Sequence, residues 1–198
     1  MRGKDHPIRQ QLRRTNMKHF ALAAFVFLAA CTGKPSFNDA SLSDRELNLE
    51  QFFDGQFTAY GQFQDILGTV RRQFVVTIHG DWDGERLRLV EDFVYEDGST
   101  EQRVWTLRKT GPTVADQTWV GTAPGVIGTA TGREQGDRFN WRYEIDLPVP
   151  SADGPTETLR VQFDDWMWQQ SDDWLLNIAY VKRFGLDIGQ VVISFEKE

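Results

Sequence analysis

The chain has 198 residues, of which 26% are charged and 13% are aromatic, and its formal net charge is -7. This composition is typical of one folded domain and excludes a disordered or collagen-like chain. The charge is uneven, since residues 1–30 hold six Lys or Arg and one Asp, whereas the rest of the chain holds 16 basic and 28 acidic side chains. A body with this acidic excess argues against nucleic-acid binding, which depends on clustered Lys and Arg.

The N-terminus has the pattern of a secretory signal. Residues 20–30 (FALAAFVFLAA) form an uncharged run of 11 residues that follows Lys18 and, further back, Arg13 and Arg14. The run is too short for a transmembrane helix, which needs about 20 residues. It fits the apolar centre of a signal peptide. We therefore predict a signal peptide over residues 1–30, with residues 1–16 as an upstream extension if translation starts at Met17.

The apolar run ends at the tetrapeptide Leu28-Ala29-Ala30-Cys31, which contains the single cysteine of the chain. It resembles the lipobox of bacterial lipoproteins, whose cysteine is lipidated and becomes the first residue after cleavage. The resemblance implies a lipid anchor on Cys31, and Thr32 in the next position implies sorting to the periplasmic face of the outer membrane. The alternative is an ordinary signal peptide with an incidental cysteine. With Cys31 acylated, the folded part has no cysteine for disulfides or thiolate metal sites.

Beyond Cys31 the sequence predicts a flexible tether over residues 31–46 and a single domain over residues 47–198. Residues 47–53 (LNLEQFF) have helical spacing, which ends at Asp54-Gly55. The remainder alternates between apolar and polar residues, most clearly over residues 138–147 (RFNWRYEIDL). This period of two predicts strands at residues 56–63, 70–79, 86–95, 100–109, 118–123, 126–133, 137–147, 157–168, 174–184 and 188–197.

Turn residues between these strands predict sequential hairpins. Asp-Gly pairs occur at positions 83–84, 97–98 and 153–154. Small residues at 121–123 and 128–130 (GTA in both) leave room for a neighbouring aromatic ring or a ligand. Sequential pairing favours an all-β, mostly antiparallel up-and-down barrel of about eight to ten strands, which encloses about one small ligand. An immunoglobulin-like sandwich is the structural alternative.

Several stretches carry a family resemblance. They are residues 47–61 (LNLEQFFDGQFTAYG), 101–109 (EQRVWTLRK), 121–133 (GTAPGVIGTATGR), 139–143 (FNWRY) and 163–168 (FDDWMW). Together they resemble the bacterial lipoprotein family catalogued as domain of unknown function 3833, over roughly residues 47–197, which implies a lipoprotein but no activity. More distantly, the short helix, Gly55-Gln56-Phe57, the β meander and Arg183 are similar to lipocalins, with Phe57 in place of that family's Trp. This resemblance implies a lipocalin-like barrel.

The sequence lacks the signatures of common enzymes. His79 is the only histidine outside the signal region, which excludes a two-histidine metal site, and neither Gly-x-Ser-x-Gly nor a phosphate loop occurs. Residues 81–85 (DWDGE) suggest a calcium loop, but a β-turn explains them more simply. The adjacent Asp164 and Asp165 point to opposite faces of a strand and cannot act together as acid and base. We predict no catalytic residue, no metal and no cofactor.

Three polar residues fall on predicted inward faces, namely Glu91, Arg103 and Asp165. A buried charge is costly unless it is paired, so two interpretations stand. In the first, Glu91 and Arg103 form a structural ion pair across the hairpin at 97–98. In the second, they hold the polar group of a ligand in a cavity with aromatic walls. The candidate ligand-binding residues are Glu91, Arg103, Trp105, Trp141, Tyr143, Asp165, Trp166 and Trp168.

We therefore expect a monomeric, lipid-anchored envelope protein whose barrel binds or shuttles a small hydrophobic or amphipathic ligand, such as a fatty acid or a lipid derivative. Its expected partners are the membrane, through Cys31, and this ligand, and no nucleic acid. One alternative is a lipid-modifying enzyme with Glu91 or His79 as general base. The other is a structural or partner-binding envelope protein without a ligand, which a cavity smaller than about 300 Å³ would favour.

Overall fold

The computed structural model describes residues 33–41, 43–111, 118–149 and 157–198. Ser36–Glu198 forms one compact unit that holds every strand, whereas only residues 33–35 of the unit Met1–Pro35 are described. The predicted signal peptide, Cys31 and the Asp-Gly pair at 153–154 lie outside the described residues. Within the described ranges, none of the helical structure has the length and apolar character that a bilayer crossing requires.

Ten antiparallel strands follow one short helix and close into a barrel. Helix α1 spans Leu49–Phe52, which is shorter than predicted because Asn48 is extended and caps the helix by accepting the Gln51 N–H. The strands are β1 (Gly55–Asp65), β2 (Val70–Trp82), β3 (Arg86–Tyr95), β4 (Thr100–Thr110), β5 (Thr118–Thr122), β6 (Ala130–Gln135), β7 (Arg138–Val149), β8 (Glu157–Gln169), β9 (Trp174–Arg183) and β10 (Leu186–Lys197).

The strands pair in sequence order, and β1 also pairs with β10. The predicted sequential barrel is thus confirmed, and a two-sheet sandwich is excluded. The Asp-Gly pairs at 83–84 and 97–98 lie in the β2–β3 and β3–β4 hairpins, as predicted. Strand β6 begins at Ala130 and not at residue 126, because Gly125 and Gly128 adopt positive φ angles of 84° and 71° that interrupt extended backbone.

Helix α1 closes one end of the barrel. The aromatic rings of Phe52 and Phe53 pack against Phe57, which is fully buried at the start of β1. Polar contacts add to this packing, since Glu134 on β6 accepts a hydrogen bond from the Leu49 N–H at 2.9 Å. Lys109 on β4 bonds both Glu134, at 3.0 Å, and Glu50 of the helix, at 2.5 Å. These contacts fix the helix to β4 and β6. We call the opposite end, which the β1–β2, β3–β4 and β9–β10 turns form, the far end.

A lysine lies beside Phe57 at the end of the barrel that the helix closes. Lys197, on β10, places Nζ 5.5 Å from the centre of the Phe57 ring and donates to the carbonyl oxygens of Gln51 and Phe52. Arg183 lies at the far end, where its guanidinium packs over Phe184. Arg183 and Phe57, which the lipocalin resemblance both included, therefore lie at opposite ends of the barrel.

Gly80 on β2 packs directly against the backbone that follows helix α1. A Cβ atom at this position would lie 1.6 Å from the carbonyl oxygen of Phe53, which immediately follows α1. We expect Gly80→Ala to destabilise the protein by about 3 kcal/mol or more. To relieve the clash, the backbone of β2 or that of Phe53 would have to move, and either movement would disturb the packing of α1 on the barrel. Urea unfolding measures the effect. Thr77→Ala, at an exposed position of the same strand, should change stability by less than about 1 kcal/mol, and an equal loss in both variants would contradict this account.

Candidate ligand-binding site

The barrel encloses a cavity of about 380 Å³ that is lined by α1 and by every strand except β5 and β6. This volume exceeds the lower limit of about 300 Å³ for ligand pockets. The small residues of β5 and β6 make room for an aromatic ring instead, because a Cβ on Gly121 or Gly132 would lie 3.1 or 2.7 Å from the Trp141 indole. The sequence predicted that these small residues make room for either an aromatic ring or a ligand, and the structure shows an aromatic ring next to them.

The cavity has a polar wall and an apolar wall. The polar wall lies on β2, β3 and β4, and its side chains are Arg72, Glu91, Tyr95, Glu101 and Arg103. The apolar wall lies on β1, β7, β8 and β10, and includes Phe63, Leu147, Leu159, Ile188 and Val191. An amphipathic molecule fits such a cavity better than a purely apolar one, because the buried polar groups need partners.

A chain of contacts connects the polar wall from the far end inward. The Arg72 guanidinium lies 3.4 Å from the centre of the Tyr95 ring. The Tyr95 hydroxyl donates to Glu101 Oε2 at 2.8 Å, and Arg103 Nη2 donates to Glu101 Oε1 at 2.6 Å. The side chains of Arg72 and Glu101 are 32% and 29% exposed, whereas that of Arg103 is 15% exposed. Solvent access thus decreases along this chain from the far end into the cavity.

Glu91 lies beside Arg103 in the β3–β4 register, but the two do not form the ion pair that the sequence suggested. Among the described residues, the carboxylate that pairs with Arg103 is Glu101, two residues away on the same face of β4. Burial raises the pKa of Glu91 to about 7 from an ordinary 4.5, Arg103 opposes this rise and Glu101 adds to it. Glu91 is therefore a cavity carboxyl that changes charge close to neutral pH.

Asp165 and Tyr143 face the cavity from β8 and β7. Burial raises the pKa of Asp165 well above its ordinary value, and the charges of Asp164 and Glu91 raise it further. Burial also raises the pKa of the Tyr143 hydroxyl, which interacts with the Asp165 carboxyl. Asp165, Tyr143, Glu91 and Arg103 thus form one electrostatically coupled cluster.

The structure places six of the eight candidate residues at the cavity, namely Glu91, Arg103, Trp105, Trp141, Tyr143 and Asp165. The expectation that Trp166 and Trp168 form cavity walls is wrong, because both have the opposite strand parity to Asp165 and lie on the outer face. Trp166 is nonetheless only 2% exposed, since Phe37 covers it with a ring-centre separation of 4.9 Å.

Phe37 belongs to the segment that the sequence assigned to a flexible tether. Arg138 on β7 donates to the carbonyl oxygens of Ser36, Asp39 and Ala40, and Arg133 packs over the Phe37 ring at 4.2 Å. Part of the predicted tether is therefore packed against the outside of the barrel, where it hides an aromatic side chain that would otherwise be exposed.

The other polar groups that the sequence singled out lie outside the cavity. His79 is exposed on the outer face of β2. Of the two general bases considered for the enzyme alternative, Glu91 is therefore the one that lines the cavity. Asp83 accepts hydrogen bonds from the N–H groups of Glu85 and Arg86 and so stabilises a turn. Asp164 bonds the outward-facing Arg142. Within the described ranges, no group of three or more His, Cys, Asp or Glu side chains is arranged to hold a metal ion.

Sequence reasoning missed three members of the polar wall. Arg72 shares its strand parity with Phe74, Val76 and Ile78, which are partly or fully buried. Glu101 shares the parity of Arg103, and Tyr95 that of Glu91. The inward parity that identified Glu91 and Arg103 was therefore also available for these three residues.

The ten strands thus form a closed, lipocalin-like antiparallel barrel around a cavity. The fold is similar to that of the S-type phycobiliprotein lyase CPES from Guillardia theta, with a TM-score of 0.55 and 9% sequence identity over 77% of this chain and 93% of that chain. This similarity concerns the fold alone. A family model described as "Protein of unknown function (DUF3833)" matches residues 25–197, and the chain belongs to this family. No curated protein matches the sequence.

Proposed function

We propose that the protein binds and shuttles a small amphipathic molecule with an acidic head group, such as a fatty acid or a lipid derivative. The observation that carries this proposal is the cavity of about 380 Å³ with arginines on one wall and apolar side chains on the other. The head group would contact Arg103 and Arg72, and the hydrocarbon chain would lie against the apolar wall. Burial of such a chain contributes about 0.8 kcal/mol for each methylene group.

The charges of the polar wall favour an anion. Below neutral pH, protonation makes Glu91 mostly uncharged because its pKa is about 7, and the raised pKa of Asp165 favours its uncharged form. Among the side chains that line the cavity, Arg72 and Arg103 then face the one carboxylate of Glu101, while Arg72 also pairs at 3.8 Å with Asp97, which is 55% exposed and lies outside the lining. Water screens the exposed pair with Asp97, so the lining keeps an excess of positive charge that a carboxylate or phosphate on the ligand would neutralise.

A matched pair of ligands tests this proposal. Oleate and its methyl ester have the same hydrocarbon chain, but only oleate carries a charge. Trp105 and Trp141 line the cavity, so quenching of tryptophan fluorescence reports on binding. We expect oleate to bind roughly 10-fold or more tightly than the ester, because a charge-assisted hydrogen bond contributes more than a neutral one. Equal binding would contradict recognition of an acidic head group, and the absence of binding would contradict the carrier function.

A lipid-modifying activity is the second candidate, and the perturbed carboxyl of Glu91 favours it. A carboxyl with a pKa of about 7 suits a general base at neutral pH. Incubation of the protein with phospholipid and acyl ester substrates, followed by mass spectrometry, tests this candidate. Product formation that is lost in Glu91→Gln would support an enzyme, whereas unchanged substrates would leave the carrier function in place.

We also propose that the protein is a lipoprotein, anchored through Cys31 at the periplasmic face of the outer membrane. The lipobox-like sequence before Cys31 supports this proposal. Metabolic labelling with radioactive palmitate should label the wild type and the Thr32→Ala variant, and Cys31→Ala should abolish the label. Label that persists in Cys31→Ala, or an unlabelled wild type, would show that the anchor assignment is wrong.

A further inference from the structure

Asp165 is a buried carboxyl that interacts with the Tyr143 hydroxyl but keeps one oxygen without a partner in the barrel. Its residue is 7% exposed and lines the cavity from β8. Its Oδ1 atom has no hydrogen-bond partner among the described protein atoms. Buried carboxyl oxygens in native proteins are nearly always hydrogen-bonded, so an unpaired one inside a cavity points to a partner that comes from outside the protein.

The side-chain amides nearest to Asp165 are already committed to other acceptors. The Asn140 Nδ2 group donates to Asp164 Oδ1 and to the backbone carbonyl of Asp165, both at 2.8 Å. The Asn177 Nδ2 group donates to the carbonyl of Trp166 at 3.1 Å. Asp164, the sequence neighbour, lies on the outer face, where its Oδ1 atom accepts hydrogen bonds from Asn140 and Arg142. Asp164 therefore links β8 to β7 on the outer face, whereas Asp165 faces the cavity.

We infer that the ligand carries a hydroxyl group on its hydrocarbon chain, in addition to its head group, and that this hydroxyl hydrogen-bonds Asp165 Oδ1. The inference rests on the proposed function, because it specifies the class of amphipathic molecule that the cavity holds. A hydroxyl fits better than a carbonyl or an amine, since it can donate to an ionised carboxylate and can also accept from a protonated one.

The position of Asp165 relative to the head-group residues agrees with two polar groups on one ligand. Asp165 interacts electrostatically with Arg103 and Glu91, so the two subsites belong to the same cluster. Its in-phase neighbours on β8, Phe163 and Met167, are apolar and line the same cavity. A purely hydrocarbon chain in this region would leave Oδ1 unpaired, whereas a hydroxylated chain would satisfy it and keep the remaining contacts apolar. The ligand class is therefore a hydroxylated fatty acid or an acidic lipid that contains one.

The test compares palmitic acid with its monohydroxylated positional isomers, each titrated into the full-length protein with tryptophan fluorescence as the readout. We expect one isomer to bind about 10-fold more tightly than palmitic acid, because a hydroxyl at the matching position gains a buried hydrogen bond. Asp165→Leu should abolish this preference, so that palmitic acid and this isomer bind the variant with equal affinity. Met167→Leu, on the same strand and face, should keep the preference.

The outcomes separate this inference from the proposed function. If palmitic acid and all its hydroxylated isomers bind the wild type equally, the inference is overturned and the carrier function stands. If none of them binds, the carrier function fails and the inference fails with it. A preference that persists in Asp165→Leu would place the hydroxyl elsewhere and overturn the role of Asp165. If Asp165→Leu does not fold, Asp165→Ala replaces it, and the wild-type comparison alone can still overturn the inference.

Discussion

Arg103→Met is expected to weaken binding of oleate roughly 100-fold, which corresponds to about 2.7 kcal/mol. Arg103 is the most deeply buried cation of the polar wall, and its methylene stem, but not its charge, is retained in methionine. The substitution leaves Glu101 without its ion-pair partner in the cavity. Arg72 and Glu101 would then balance each other, so the wall would lose the excess positive charge that attracts the head group. Fluorescence titration measures the affinity.

Arg108→Met is the matched control, because Arg108 lies on the same strand but is exposed on its outer face. We expect this variant to bind oleate like the wild type. The methyl ester provides a second control, since its affinity should fall much less in Arg103→Met than that of oleate. An equal loss for acid and ester would indicate that the substitution disturbs the cavity as a whole, and would contradict head-group recognition by Arg103.

Glu91→Gln is expected to stabilise the protein by about 3 kcal/mol at pH 8 and by little below pH 4.5. The pKa of Glu91 is raised from 4.5 to about 7 in the fold, so the folded state holds a proton that the unfolded state has released between these values. The stability of the wild type therefore falls as the pH rises from 4.5 to 7 and then levels off. Glutamine stays neutral and removes this contribution. Urea unfolding over the pH range measures the difference.

The neighbouring position provides the control for this pH dependence. Asp92 is exposed on the outer face of β3, and Asp92→Asn should keep the wild-type dependence on pH. The other charged groups that face Glu91, namely Arg103, Glu101, Tyr143 and Asp165, are unchanged in both variants. If the free energies of unfolding of the wild type and Glu91→Gln differ by the same amount at pH 4 and pH 8, the pKa of Glu91 is not raised in the fold and the account is contradicted.

The same substitution should alter ligand binding. Ionised Glu91 would repel an acidic head group beside Arg103, so oleate affinity in the wild type should decrease as the pH rises through 7. In Glu91→Gln we expect affinity to change much less over this range. A wild-type affinity that is independent of pH between 6 and 8 would contradict the placement of the head group next to Glu91.

The sequence predicted the strands well because most of them have one buried and one exposed face. This difference produces an alternation that is readable without tertiary information. The same alternation placed Glu91, Arg103 and Asp165 inside the barrel. It also predicted sequential pairing, since short turns at 83–84 and 97–98 leave no room for a crossover.

What the sequence did not predict depends on contacts between distant segments. Trp166 lies on the outer face and is buried only because Phe37, more than a hundred residues earlier, covers it. Strand parity indicates that a side chain points outward, but it does not indicate whether another segment of the chain packs over it. Likewise, parity brings Glu91, Glu101 and Arg103 to one face but does not choose the pair, because the long arginine side chain can reach either carboxylate. In the structure, the neighbour along the strand prevails over the neighbour across it.

The most direct test of the central claim is native mass spectrometry of the protein purified from its own source, followed by organic extraction of the bound material. The cavity predicts a complex with one defined acidic lipid, which denaturation releases and which raises the melting temperature when it is added back. Preparations that are consistently empty and show no thermal shift with fatty acids would contradict a ligand carrier.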